Sequence, residues 1–301
     1  MRQGGGVRPL RASATASRAR IARVAEALGP ATPAAMASPT VFLVTGCSRG
    51  IGIEWAKQIL ARGDSLIATC RNPDSAAELN AVLAAHSGPG FAISLPLDVA
   101  SEASIRALPE AIAATGKTSG VDVLVHNAGV SAPTHPVDPA ETVSKAAMMD
   151  CFETNAVFSP PPLQPRPALI VGVEQVGPML VTQACLKLLS PGKKIFFVST
   201  AMASMERTDQ ASGGGSVSYR ASKSGLNMVG RLIAAEWGLG TEADLAVTLC
   251  HPGWVDTDMG AAGNRSPPVQ PPDSVSGMLT VIDQMGPQST ANFVDWEGVS
   301  Y

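Results

Sequence analysis

Tyr219 and Lys223 stand four residues apart in Ser218-Tyr219-Arg220-Ala221-Ser222-Lys223. Four residues is close to one helical turn, so the phenol and the ammonium share one helix face. An ammonium beside a phenol favours the phenolate, and the spacing therefore predicts a Tyr219 pKa lowered towards neutrality. A tyrosine tuned in this way can hand a proton to a carbonyl oxygen or take one from an alcohol. Such pairs arise by accident on many helices. What gives this one weight is a glycine loop far upstream, Thr45-Gly46-Cys47-Ser48-Arg49-Gly50-Ile51-Gly52. The loop follows an apolar run and opens a helical one, the setting in which glycines cradle a dinucleotide. Gly46 permits the tight turn, Gly50 the close approach of phosphate, and Gly52 the packing of helix on sheet. The amino end of the helix then offers free N–H groups and a favourable dipole to the pyrophosphate.

From Thr40 onward, short β-rich runs alternate with longer helical ones. Strands are expected at Val41–Thr45, Ser65–Cys70, Phe91–Leu95, Val121–His126, Lys194–Ser199, Leu245–Cys250 and Asn292–Val294. Helices are expected at Gly50–Arg62, Asp74–His86, Ser101–Thr115, Pro178–Leu189 and Val217–Trp237. Continuously apolar strands separated by helices mean a parallel sheet covered on both faces. The expected fold is a single α/β domain over residues 39–301, a Rossmann-type doubly wound sheet with its ligand site beyond the carboxyl ends of the strands.

Strand two ends Ala68-Thr69-Cys70-Arg71 with no acid at its tip to hydrogen-bond the ribose 2′-OH of NAD. Arg71, with Arg49 in the loop, offers paired guanidinium donors to a 2′-phosphate, which selects NADPH over NADH, though NADH remains possible. His86, His126, His135 and His251 show no metal-ligand spacing and read as structural histidines, and Cys47 reads as a small residue in a tight turn.

Hydrophobic residues make up 45% of the 301 and charged ones 16%, with a formal net charge of -3. That balance fits a globular protein and leaves no basic footprint for nucleic acid. No apolar run reaches the roughly 18 residues of a membrane span, so a soluble protein is expected. The five cysteines are scattered and never form a CxxC pair, which points to a reducing compartment without disulfides or structural zinc. The first 35 residues carry six arginines and one acid, Glu26, among Ala, Ser and Gly. Residues 1–38 are then either a transit peptide or a disordered or untranslated extension, with Met36 a natural alternative start. The compartment is the cytoplasm, or a plastid or mitochondrion if that extension is a translated leader.

One stretch breaks the alternation. Phe158–Pro167 holds five prolines in ten residues, through which no helix or central strand can pass. It separates Asp150–Ala156 from Pro178–Leu189, which read as two halves of one helix. Removing the 19 residues Val157–Gln175 joins the halves. The segment begins with Val, whose codons start GT, and ends with Gln, which CAG encodes. Those are the ends of an intron, so the segment is either a retained intron or a genuine Pro-rich insertion. A second Pro-rich stretch, Ser266–Pro272, is expected to be a mobile flap.

Taken together, these motifs resemble the short-chain dehydrogenase/reductase family, and within it the C-factor and sniffer-type carbonyl reductases. The resemblance covers residues 40–301 apart from the insert. Thr45-Gly46-x-x-x-Gly50-Ile51-Gly52, with Ser48 and Arg49 between, matches the cofactor loop. Asp98-Val99 matches the pair that holds the adenine. His126-Asn127-Ala128-Gly129 matches an Asn-Asn-Ala-Gly segment, with His126 replacing the first Asn. His251-Pro252-Gly253-Trp254-Val255-Asp256-Thr257 is similar to the segment that meets the nicotinamide. The resemblance implies Tyr219 as proton donor, Lys223 holding the nicotinamide ribose, and Asn155 positioning a water that relays protons. It places the oxyanion-steadying hydroxyl at Thr200, with Ser204 as fallback. It implies NADPH-dependent reduction of a ketone or aldehyde, reversible to alcohol oxidation, by a homodimer or homotetramer. The alternative it raises is a cofactor-binding signalling or sensor protein with incidental or no turnover.

Overall fold

The computed structural model of the chain describes residues 38–130, 143–146, 148, 151, 155, 177–208, 215–286 and 290–301. Seven strands form one sheet: β1 (Val41–Thr45), β2 (Ser65–Cys70), β3 (Ala92–Pro96), β4 (Val121–His126), β5 (Leu189–Val198), β6 (Ala246–His251) and β7 (Asn292–Asp295). Their order is β3-β2-β1-β4-β5-β6-β7, and every neighbouring pair is parallel. The order reverses between β1 and β4, so a crevice opens where the connections leave in opposite directions.

The helices are α1 (Ile51–Ala61), α2 (Ala77–Ala84), α3 (Glu102–Ala114), α4 (Gly177–Cys185), α5 (Val217–Trp237), α6 (Asp258–Ala261) and α7 (Pro271–Gln284). Strand side chains alternate between two cores. Phe42, Val44, Ala68, Phe196, Val198 and Cys250 pack under α1 and α7, with Trp55 and Met278 contributed from above. Leu43, Ile67, Leu124, Ile195, Phe197 and Leu249 point the other way, under α3, α4 and α5. Burial on both faces is what the unbroken apolar strands demand.

Three departures from the expected elements have plain causes. Helix α7 was not anticipated, because Pro271 and Pro272 read as breakers. They occupy its first turn, where no intrahelical N–H is needed, and Asp273 follows there as a favourable acid. The stretch Ser266–Pro272 is fastened on one side: Val269 forms a bridge with Val255, accepts from the Asp256 N–H at 2.8 Å, and donates to the Trp254 carbonyl at 3.2 Å. Strand β5 starts at Leu189, with a register shift before Lys194 that separates residues 189–193 from the apolar run that follows. Residues 1–37 and 156–176 lie outside the described residues, so the leader and the Pro-rich insert do too. Among the described residues, no helix is long and apolar enough to cross a membrane.

Candidate active site

Tyr219 sits in the first turn of α5 and Lys223 one turn on, at the carboxyl end of β5. Tyr219 is half-buried and its phenol is hydrogen-bonded to the Thr200 side chain. Lys223 is buried, and its Nζ donates to the Val198 carbonyl at 3.0 Å. Thr200 and Ser199 diverge. The Ser199 hydroxyl turns to Asn227 on α5, whereas Thr200 faces Tyr219 and caps the turn Ala201–Ala203 by accepting from the Met202 N–H at 3.3 Å. Ser204 is engaged locally, accepting from the Arg207 N–H at 3.4 Å.

Asn155 is fully buried and helical. Its Oδ1 accepts from the Val130 N–H at 2.8 Å, and its Nδ2 donates to the Val130 carbonyl at 2.7 Å and to the Ser222 hydroxyl at 3.1 Å. Ser222 in turn donates to the Tyr219 carbonyl at 2.9 Å. The amide thus ties the segment after β4 to the turn that carries the phenol. Ser222 and Val130 escaped sequence reasoning, because neither residue type signals a bridge of this kind. A Cβ added at Gly129 would meet Asn155 Oδ1 at 3.1 Å and Lys223 Nζ at 3.2 Å, so a side chain there would crowd both groups.

The expected lowering of the Tyr219 pKa is not what the structure shows. Burial pushes the phenol up to about 12, against a smaller downward pull from the Thr200 bond, and Lys223 makes no compensating contribution. Burial also pushes Lys223 down to about 8. Helical spacing brought the two groups to one face, but desolvation is the largest influence on each.

At the crevice, Thr45 Oγ1 accepts from the N–H groups of Asn127 and Ala128, each at 3.0 Å. The Asn127 side chain donates to the carbonyls of Thr45 and Gly46 at 3.0 and 3.1 Å, which fastens the glycine loop to the end of β4. Gly46 has φ +75°, and a Cβ there would lie 2.9 Å from the Ala128 backbone. One at Gly52 would fall 2.0 Å from the Gly46 carbonyl oxygen. Ser48, Arg49 and Gly50 are exposed, and no side chain caps the start of α1. Arg71 is exposed just beyond β2, and neither it nor Arg49 makes an ion pair among the described residues. Asp98 accepts from the Ala100 N–H at 3.0 Å, and the Val99 carbonyl lies against Gly177. Beyond β6, the Pro252 carbonyl accepts from Ser274 at 2.6 Å, Gly253 has φ +86°, and buried Val255 pairs with Val269. Thr257 caps α6, with its methyl 3.4 Å from where a Gly50 Cβ would stand. The residues singled out in these loops therefore all lie in connections that follow the carboxyl ends of the strands.

His126 is buried against Phe197 (ring centroids 4.6 Å apart) and hydrogen-bonds Thr182 at 2.9 Å. Burial, then the Lys223 charge, lowers its pKa from 6.5 to about 3. The unfolded chain therefore holds one more proton between these values, so stability present above pH 6.5 is lost as pH falls towards 3. The slope from this group approaches ~1.4 kcal/mol per pH unit. Denaturant titrations from pH 7 to 4 should show a shallower loss in His126→Asn than in the parent, and parallel slopes would mean that His126 is not held neutral. His86 bonds the Gly90 carbonyl, and His135 lies outside the described residues.

A family model described as short chain dehydrogenase matches residues 40–159. The C-signal protein of Myxococcus xanthus is 36% identical over 183 residues, spanning 60% of this chain and 92% of that protein. Among solved structures, the NADPH-bound carbonyl reductase from chicken fatty liver superposes with TM-score 0.71 at 28% identity, covering 88% of this chain and 99% of that one. The carbonyl reductase Sniffer of D. melanogaster gives TM-score 0.71 at 27% identity, covering 87% and 98%.

Proposed function

Since the chain belongs to the short-chain dehydrogenase/reductase family of oxidoreductases, we propose that it reduces a ketone or aldehyde with NADPH, Tyr219 acting as the proton donor. The observation that carries this reading is the Thr200–Tyr219 hydrogen bond at the carboxyl end of β5, with buried Lys223 one turn away and Asn155 behind it.

The crevice fits a dinucleotide phosphate: it has two glycines that admit no side chain, an uncapped helix start, and two exposed arginines that make no ion pair among the described residues. In this reading Gly46, Ser48, Gly50, Ile51 and Gly52 border the pyrophosphate, and Arg49 and Arg71 take the 2′-phosphate. Asp98 and Val99 border the adenine, while Asn127, Ala128 and Gly129 form the floor. Pro252, Gly253, Val255 and Thr257 face the nicotinamide end. When bound, NADPH supplies a hydride to the carbonyl carbon. The rest is done by the chain. Tyr219 gives its proton to the carbonyl oxygen, and the Thr200 hydroxyl donates a hydrogen bond to the same oxygen as its charge grows. Lys223 holds positive charge beside the emptied phenol and binds the nicotinamide ribose, and Asn155 keeps Tyr219 and Lys223 in register through Ser222. The neighbours described as carbonyl reductases support this reading.

Arg71→Ala is expected to weaken NADPH by about 1.5–3 kcal/mol, the worth of a hydrogen bond to a charged group, while barely changing NADH. Calorimetric titration with both cofactors checks it, and equal losses would make Arg71 a bystander. The likeness to C-signal supports a second reading, a cofactor-binding signalling protein with incidental turnover. NADPH consumption across a panel of carbonyl compounds separates the two, since a pure binder takes up NADPH and consumes none. A homo-oligomer built on α5 belongs to the same proposal: Met228 and Leu232, 58% and 56% exposed and one turn apart, form an apolar stripe that a second copy would cover.

A further inference from the structure

The segment from Phe293 to Tyr301 grips the end of β6 from both faces of the sheet. On one face, Trp296 donates its N–H to the His251 carbonyl at 2.9 Å. Its ring lies so close to Gly253 and Gly277 that a Cβ at either would meet it at 3.0 or 2.6 Å. On the other face, the chain turns back along β7, with the Asp295 N–H bonded to the Val299 carbonyl at 2.9 Å and the Tyr301 N–H to the Phe293 carbonyl at 2.8 Å. That return places the Tyr301 ring on Phe293 (4.7 Å, stacked), edge-on to His251 (5.9 Å), and under the Arg207 guanidinium (3.8 Å to the ring centroid).

His251 immediately precedes Pro252-Gly253. Arg207 closes a run of tight turns that begins at Thr200: Ala203 N–H to the Thr200 carbonyl, Ser204 N–H to the Ala201 carbonyl, and Arg207 N–H to the Ser204 hydroxyl. One ring therefore touches both loops that bracket the crevice. Among the described residues, buried His251 Nδ1 has no hydrogen-bond partner, so on this side ring contact, rather than a polar bond from that nitrogen, holds the loop. From this geometry we infer that Tyr301 is a positioning residue: its ring clamps the Thr200–Thr208 loop to the His251–Gly253 loop, and so fixes Thr200 against Tyr219. The effect on turnover rests on the reductase reading above; the clamp itself does not.

The test uses the full-length protein carrying Tyr301→Ala, Tyr301→Phe, Arg207→Ala, and the Arg207→Ala/Tyr301→Ala double change. Amide hydrogen exchange in residues 204–208 and 251–257 is read first. Both segments should exchange faster in Tyr301→Ala and stay protected in Tyr301→Phe, since the ring makes the contact and the hydroxyl does not. Assayed well below the melting temperature, Tyr301→Ala should lower kcat by about 3- to 30-fold, the span of a cation–π contact, with a smaller loss of NADPH affinity because the His251–Gly253 loop also borders the nicotinamide end in that reading. The double change should add little to either single one. Unchanged exchange in Tyr301→Ala overturns the clamp whatever the activity. Faster exchange with unaltered kcat overturns the positioning role and leaves a merely structural contact. If the parent protein consumes no NADPH on any carbonyl, the reductase reading fails while the exchange result still decides the clamp.

Discussion

Tyr219→Phe is expected to lose at least roughly 100-fold in turnover, the lower range for a general acid, and to bind NADPH as the parent does. The change removes one oxygen. The ring keeps its place in the first turn of α5, and none of the loops that border the pyrophosphate depends on the hydroxyl. What is lost is the proton donor and the partner of the Thr200 side chain. Because burial holds the phenol up at about 12 and not near neutrality, Tyr219 keeps its proton at physiological pH. That state suits donation of a proton to a carbonyl oxygen. Steady-state rates on the best substrate of a carbonyl panel, beside a fluorescence titration with NADPH, decide the matter. A variant that turns over almost normally would sink the mechanism.

Deleting residues 157–175 should yield a protein that is more stable, more oligomeric and more active. Cys151 and Asn155 are helical on one side of the segment, and α4 begins at Gly177 on the other. Joining them gives Asn-Ala-Val-Gly-Pro-Met, which leaves only Ala156 and Val176 between helical Asn155 and the start of α4. Asn155 carries three hydrogen bonds to Val130 and Ser222, so the regularity of its helix bears directly on the position of Tyr219. A gain of about 1–3 kcal/mol, the size of a typical single disruptive change, would raise the melting temperature by several degrees. Thermal melts, sedimentation and turnover of the shortened chain provide the comparison. Lower stability or activity after deletion, with transcripts that always include the segment, would make it a genuine insertion.

The sheet was legible because its strands are continuously apolar. β1, β2 and β4 begin and end where the pattern does, and so does the long helix that carries Tyr219 and Lys223. Features that depend on position within an element were harder to read. Pro271-Pro272 means a break in mid-helix and a start in the first turn, and composition alone does not separate the two. In the candidate site, residue types and spacing paired Tyr219 with Lys223, whereas Thr200 and Asn155 came only from the family resemblance. Spacing was silent on which way a hydroxyl turns, so only coordinates separate Ser199, bound to Asn227, from Thr200. It was silent too on desolvation, which is why the Tyr219 pKa moves opposite to expectation. The clasp formed by Trp296 and Tyr301 was illegible for another reason. It joins residues from distant parts of the chain, and no local pattern says that those parts meet.

The five cysteines, all buried and none in a disulfide among the described residues, give the molecule a built-in set of probes. Burial raises the pKa of Cys47 and Cys185 to about 12 and that of Cys250 well above its usual value. Near neutral pH almost none of these thiols is ionised, and the thiolate is the species an alkylating reagent attacks. Alkylation of the native protein therefore waits on transient opening, and its rate measures how often each site is uncovered. The positions are well spread: the glycine loop, the tip of β2, the helix of Asn155, the end of α4 and the end of β6. Mass spectrometry of partly alkylated protein would rank the lability of these five regions in one experiment, with no label introduced and no residue changed.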